Sequence, residues 1–182
     1  KRMCPYANDV LDVRDNLLVD TKYQTQQLNF QALDLSGTGD TSLNGKTFAL
    51  TFRSKLNETF TTIPIVFKGD DLPDFVNDIQ LALLNLPNRV IDGVTVTGNN
   101  RFDNEQPGLV SIDITFTGEG VQGPQNKILV EDYECGNGCT PKIDGLELQT
   151  RYSGHVSNNT ENVLADYNSY ECGRRGKCDY NT

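Results

Sequence analysis

A chain of 182 residues with 36% hydrophobic and 23% charged side chains has the balance of a somewhat polar globular protein. It fits one core with a short appendage, because domains average roughly 100 to 150 residues. The formal net charge of −9 excludes the basic face that a phosphate backbone demands, and no apolar run approaches the roughly 20 residues of a membrane helix, so neither nucleic acid nor membrane insertion is expected.

The N-terminal stretch is the least periodic. "VLDVRDNLLVD" fits a strand or a short helix, and "DLSGTGDTSLNG" fits a polar loop. Asp34, Ser36, Thr38 and Asp40 alternate there as hard-oxygen groups, but the set lacks the glycine and glutamate positions of a calcium-binding helical loop, so a polar turn is the reading. Gly45-Lys46-Thr47 matches the tail of a phosphate loop. The first glycine of that motif falls on Asp40, and the residues after Thr47 alternate like a strand instead of opening a helix.

From Lys46 onward the pattern is clear. "KTFALTFR" puts Phe48, Leu50 and Phe52 on one face, the period of a half-buried strand. "TTIPIVF" repeats the pattern with Ile63, Ile65 and Phe67, and Pro64 marks a sheet edge or a bulge because it has no N–H for a ladder. The intervening "SKLNETF" places Asn57 at a hairpin tip. Leu72, Phe75, Val76, Ile79, Leu83 and Leu86 then recur at three- and four-residue steps, predicting one amphipathic helix over 71–86 with Asp71 as N-cap and Pro87 closing it. "VTVTG" and "LVSIDITFT" resume as strands, the latter turning Val110, Ile112, Ile114 and Phe116 inward. "KILVEDYE" and "GLELQTRY" come next, the last burying Leu146, Leu148 and Tyr152. Strands clustered without alternating helices predict an antiparallel sheet or sandwich with one packed helix, an α+β class leaning all-β.

Residues that would carry chemistry are scarce. His155 is the single histidine and lies in "RYSGHVSNN", which reads as a surface loop without a nucleophile elbow. No carboxylate pair stands out for glycoside chemistry. Arg174, Arg175 and Lys177 form the one dense basic cluster, read as a solvated turn. No enzyme activity and no cofactor are expected.

Five cysteines with two N-x-Ser/Thr sequons, at Asn57 and Asn158, point to an extracellular or secretory-pathway protein in which both asparagines carry glycans. The odd count leaves at least one cysteine without a partner in this chain. Cys135, Cys139, Cys172 and Cys178 offer zinc ligands in number, but one of their two spacings misses the usual C-x2–4-C pair, and an oxidising compartment favours disulfides. Cys135 is expected to bond Cys139.

The C-terminal "ECGRRGKCDYNT" holds Cys172 and Cys178 around a glycine-flanked charged loop, with Asp179 and a turn after the second cysteine. This spacing resembles the middle of an EGF-like module, and "KRMCP" at the other end resembles the opening of one, with Cys4 as its first cysteine. The resemblance implies that Cys4 bonds Cys178, and that Cys172 is unpaired within this chain because its partner lies beyond Thr182. It implies three parts: residues 1–8 opening an EGF-like unit, a β-rich domain over 9–166 inserted into it, and a partial EGF-like segment over 167–182. The lack of an apolar signal stretch in "KRMCPYAND" means either a removed signal or an internal piece, and the resemblance implies the latter, an internal period of a longer polypeptide.

That module order, together with "YECGNGCTPKIDGL", resembles the mastigoneme (flagellar hair) proteins of algae and the related sexually induced proteins of diatoms. The resemblance implies a secreted structural glycoprotein at the flagellar surface, whose partners are copies of itself or related subunits in a filament, with attached glycans. The competing expectation is a secreted adhesion or glycan-binding module acting in cell recognition.

Overall fold

A computed structural model describes residues 23–32, 42–101, 108–146 and 156–163 of the chain. The larger of its two sheets is built from β1 (Thr25–Ala32), β5 (Val94–Arg101), β6 (Gly108–Phe116) and β8 (Val156–Val163), in the order β5-β6-β1-β8 and antiparallel throughout. Side chains on β1 and β6 alternate between buried and half-buried along their whole length, as a pleat with one face on a core requires. Leu28, Phe30, Val110, Ile112, Ile114 and Phe116 point inward. The opposite face is a ladder of short polar groups paired across strands. Thr25 Oγ1 lies 2.9 Å from Thr115 Oγ1, Gln27 Nε2 donates to Asp113 Oδ1 at 2.9 Å, and Ser111 Oγ donates to Asn29 Oδ1 at 2.7 Å. Such cross-strand pairs fix register.

The smaller sheet is organised around β2 (Thr47–Arg53), which pairs on one side with β3 (Thr59–Thr61) and β4 (Ile65–Val66) and on the other with β7 (Leu129–Glu131). Between β3 and β4 the register slips. Phe48 to Thr51 is three steps along β2, whereas Thr61 to Ile65 is four on the partner, so one extra residue is accommodated. This is a β-bulge across Thr62–Pro64, where the missing proline N–H falls outside the ladder. Thr62 repairs the gap: its N–H donates to Leu50 O at 2.9 Å and its Oγ1 accepts from Leu50 N–H at 3.0 Å.

Helix α1 spans Leu72–Leu84. Asp71 caps it by accepting from Asp74 N–H at 3.1 Å, which satisfies one of the orphan donors of the first turn. The helix buries Phe75, Ile79, Ala82 and Leu83 and crosses β5 at Gly98, where a Cβ would meet Val76 and Leu72 side chains at 2.8 and 2.9 Å. Glycine there allows helix and strand to approach closely, and Gln80 Oε1 accepts from Val96 N–H at 3.1 Å across the same contact. On its outer side, Asp74 and Asp78 both bind Lys68 Nζ, and these hydrogen bonds hold the ammonium's pKa above its ordinary value.

One continuous core joins the three elements. Phe30 from the large sheet packs against Phe48 (centroids 5.2 Å), Phe67 (5.5 Å) and Phe75 (6.0 Å), and Phe52 meets Phe116 at 6.0 Å. The small sheet and the helix therefore form a second layer over the inner face of the large sheet, an α+β architecture dominated by antiparallel strands.

The structure departs from sequence expectations at particular places. The helix is shorter than 71–86, although Leu86 is still buried. "TTIPIVF" is two short strands, and Ile63, expected inward with Ile65 and Phe67, is 66% exposed because the bulge turns it out. Only Leu129–Glu131 of "KILVEDYE" is strand. Of "GLELQTRY" only Gly145 and Leu146 are described, and Leu146 is fully buried. Asn158, expected in a loop, lies within β8 as the register partner of Asn29. The segments 1–8 and 167–182 lie outside the described residues, as do Cys4, Cys172, Cys178, Asp34, Asp40 and His155.

Candidate functional site: two poles of the small sheet

Strand β2 carries a distinctive feature beyond each of its ends, separated by its length of about 20 Å. Beyond Arg53 is the hairpin to β3, closed by Ser54 N–H donating to Glu58 O at 2.8 Å and Asn57 N–H donating to Ser54 O at 3.0 Å. Asn57 sits at the exposed apex with φ 71°, a left-handed conformation that asparagine tolerates better than most residues. The sequon Asn57-Glu58-Thr59 is thus presented on a turn, with Leu56 beside it 83% exposed.

The hairpin is held from below by the segment 121–128. Asn126 Nδ2 donates to Arg53 O at 3.0 Å and to Ser54 O at 3.3 Å, and Lys55 Nζ donates to Gln122 O at 2.9 Å. That segment is itself fixed by two buried glutamines that open β1. Gln24 Oε1 accepts from Gln125 N–H at 3.0 Å and from Gln26 Nε2 at 3.0 Å. Gln26 Nε2 also donates to Asn126 O at 3.0 Å, and Gln26 Oε1 accepts from Ile128 N–H at 2.9 Å. From β8, Asn159 Nδ2 donates to Ile128 O and Glu161 accepts from Gln24 Nε2. The amides serve as a bracket for backbone groups that would otherwise be buried without partners.

Between hairpin and bracket is a groove of about 180 Å³ floored by Phe52 and Val121 and walled by Leu56, Val90 and Gln125. Pockets that enclose small-molecule substrates are typically about 300 to 1,000 Å³, so this one is a surface recess.

Beyond Thr47 is the stretch "CGNGCTPKIDGL". Cys135 and Ile143 exchange both backbone hydrogen bonds, at 2.9 and 3.0 Å, and the sulfurs of Cys135 and Cys139 stand as a disulfide pair with Cα atoms 5.8 Å apart. The base of this loop is clamped to β2: Gly145 N–H donates to Thr47 O at 2.9 Å and Asp144 N–H to Thr47 Oγ1 at 2.8 Å. Gly145 has φ +77°, and a Cβ there would stand 2.5 Å from Glu134 N, so only glycine fits this return. With Ile143 and Leu146 buried behind it, the tip Gly136–Thr140 projects as a short loop.

Other sequence candidates resolve simply. Gly45-Lys46-Thr47 leads into β2, and Gly45 N–H is engaged with Phe67 O at 2.8 Å, so no phosphate cradle exists there. Among the described residues no group of three His, Cys, Asp or Glu is arranged to hold a metal, and no helix is long and apolar enough to cross a membrane. Sequence reasoning missed Gln24, Gln26, Asn126 and Asn159. The signal available was the alternation of Leu28, Phe30 and Ala32 in "TQQLNFQA".

A topological feature links these local ones. Among the described residues the first strand is β1 and the last is β8, and Thr25 at the start of the one is the register partner of Val163 at the end of the other. Antiparallel partners are about 5 Å apart, so the flanking segments join the body side by side. Comparison with protein-family models, with characterised proteins and with solved structures yields no match.

Proposed function

We propose that this chain is an extracellular structural glycoprotein module, a non-enzymatic β-rich body carried within a cysteine-rich EGF-like unit and repeated along a filament such as a flagellar hair. The observation that carries the reading is the adjacency of entry and exit. A body whose two ends leave side by side can be set into the loop between two cysteines without straining either flank. Its rigidity comes from the continuous core, and the disulfide loop and the sequon hairpin stand at opposite ends of β2, leaving one pole for a neighbour and the other for sugar. Negative-stain imaging of native material tests the proposal: fibres with a regular axial repeat are expected, and monodisperse particles that never associate argue against it.

A secreted glycan-binding module is the second reading. It is favoured by the outer face of the large sheet, where Gln27, Asn29, Ser111 and Asp113 present amide, hydroxyl and carboxylate groups in register that match sugar hydroxyls. Selective binding on a glycan array, with no self-association, would favour it over the filament.

Asn57 is expected to carry a glycan in secreted material, and that sugar would shield the exposed Leu56. Peptide mass spectrometry checks this: N57Q should remove the increment and cost about 1 kcal/mol, because glutamine tolerates the left-handed φ of 71° less well than asparagine. A bare Asn57 in native material would count against the extracellular reading.

A further inference from the structure

The chain contains two Asn-Gly sequences, Asn44-Gly45 and Asn137-Gly138, and the structure treats them differently. We propose that Asn137 is a self-modification site, converting to aspartate and isoaspartate through a succinimide formed with Gly138, with Lys142 assisting.

In this step the backbone nitrogen of Gly138 loses its proton to solvent and attacks Asn137 Cγ. A C–N bond forms to the backbone, the bond to the side-chain nitrogen breaks, and the nitrogen takes up a proton and leaves as ammonia. Water then opens the ring at either carbonyl, giving aspartate or isoaspartate. No oxidant, cofactor or enzyme is required.

Three observations favour Asn137. It is exposed at the tip of the disulfide-pinned loop, and the space beside Gly138 is open, with nothing but its chain neighbours within 4 Å of its Cβ position. The turn around it is closed by a long backbone hydrogen bond, Cys139 N–H donating to Gly136 O at 3.3 Å. Lys142 Nζ donates to Asn137 Oδ1 at 2.8 Å; because lysine is only a donor, its partner is the oxygen. Negative charge develops on that oxygen during attack, and an ammonium already in place stabilises it, as oxyanion donors do.

Asn44 is the internal control. Its attacking group would be Gly45 N–H, which is committed to Phe67 O at 2.8 Å, and Asn44 Oδ1 is tied to Gly69 N–H at 3.2 Å. The same dipeptide is thereby held in a geometry that attack would have to break.

Conversion changes the loop. Aspartate replaces a hydrogen bond to Lys142 with an ion pair. Isoaspartate adds a backbone methylene between Cys135 and Cys139, which breaks the turn that pins the tip. In a long-lived module the loop would thus record age at one pole of the small sheet. This chemistry is independent of whether the module forms a filament.

The test incubates the intact folded chain in mildly alkaline buffer and follows both peptides by mass spectrometry with separation of isoaspartate. The denatured, reduced chain serves as the reference in which both Asn-Gly sites are free. In the folded chain Asn137 should convert at least about ten-fold faster than Asn44, a barrier difference of about 1.4 kcal/mol, whereas in the denatured chain the two should keep pace. K142M should slow Asn137 about three-fold or more in the folded chain only. Asn44 matching Asn137 in the folded state, or Asn137 converting more slowly folded than denatured, would overturn the proposal. An unchanged rate in K142M would overturn the role given to the ammonium.

Discussion

Replacing Phe30 by alanine is expected to destabilise the protein by about 3–5 kcal/mol, the range for a large aromatic removed from a packed core. Phe30 is 1% exposed, and its ring touches Phe48 of the small sheet, Phe67 after β4 and Phe75 of the helix. The cavity would open where three elements meet, each held by its own backbone ladder, so the walls cannot collapse inward. A domain of this kind has a total stability of about 5–15 kcal/mol, so F30A should remain folded only in mild conditions. Urea unfolding followed by circular dichroism measures the effect. L129A, at a residue 58% exposed, should change the stability by less than about 0.5 kcal/mol. Equal effects from the two variants would contradict the two-layer core.

Gln26→Leu should cost about 2–4 kcal/mol, although it puts an apolar side chain of similar size at a position with no solvent exposure. The substitution removes a donor from Asn126 O and an acceptor from Ile128 N–H. It leaves Gln24 without one of its partners as well. Buried backbone groups stripped of partners cost about 1–3 kcal/mol each, and members of a network fall together. Q27L, on the outer face of the same strand, should cost far less because water can reach Asp113 in its place. Hydrogen exchange separates the mechanisms: Q26L should expose the Ile128 amide selectively, and a uniform loss of protection would mean that the change acted through the core alone.

These two residues mark where the sequence is readable. Phe48, Ile112 and Phe75 sit in runs whose apolar period equals the geometric period of a strand or a helix, so β2, β6 and α1 stand out, and Asp71 and Pro87 bracket the helix. Gln24 just ahead of β1 and Gln26 within it are buried, and in β8 the inward positions include Asn159 and Glu161. Polar residues fill the core face there because they satisfy the segment 121–128, which lies far away in sequence. No local pattern reports such a partner, so β8 does not stand out as a strand, and the only signal for β1 is the alternation of Leu28, Phe30 and Ala32. Ile63 fails for a different reason. Pro64 announces an irregularity, but the direction in which a bulge turns its neighbours depends on the ladder with β2. The Asn57 hairpin is legible because turn and sequon share the same few residues. The disulfide loop is legible as a cysteine spacing, whereas its clamp to Thr47 is not.

In the proposed arrangement the β-rich body is set into a cysteine-rich unit whose two halves flank it, and the adjacency of Thr25 and Val163 makes that feasible. Non-reducing peptide mapping of the intact chain tests it most directly. The expected result is a Cys135–Cys139 link, a Cys4–Cys178 link that closes the body at its base, and Cys172 bonded to neither Cys4 nor Cys178. Closing a loop of that length constrains the unfolded chain by on the order of 5 kcal/mol in the entropic estimate, so reduction should lower stability sharply. A Cys4–Cys172 bond or a Cys172–Cys178 bond would contradict the inserted arrangement and remove the main support for a tandem filament.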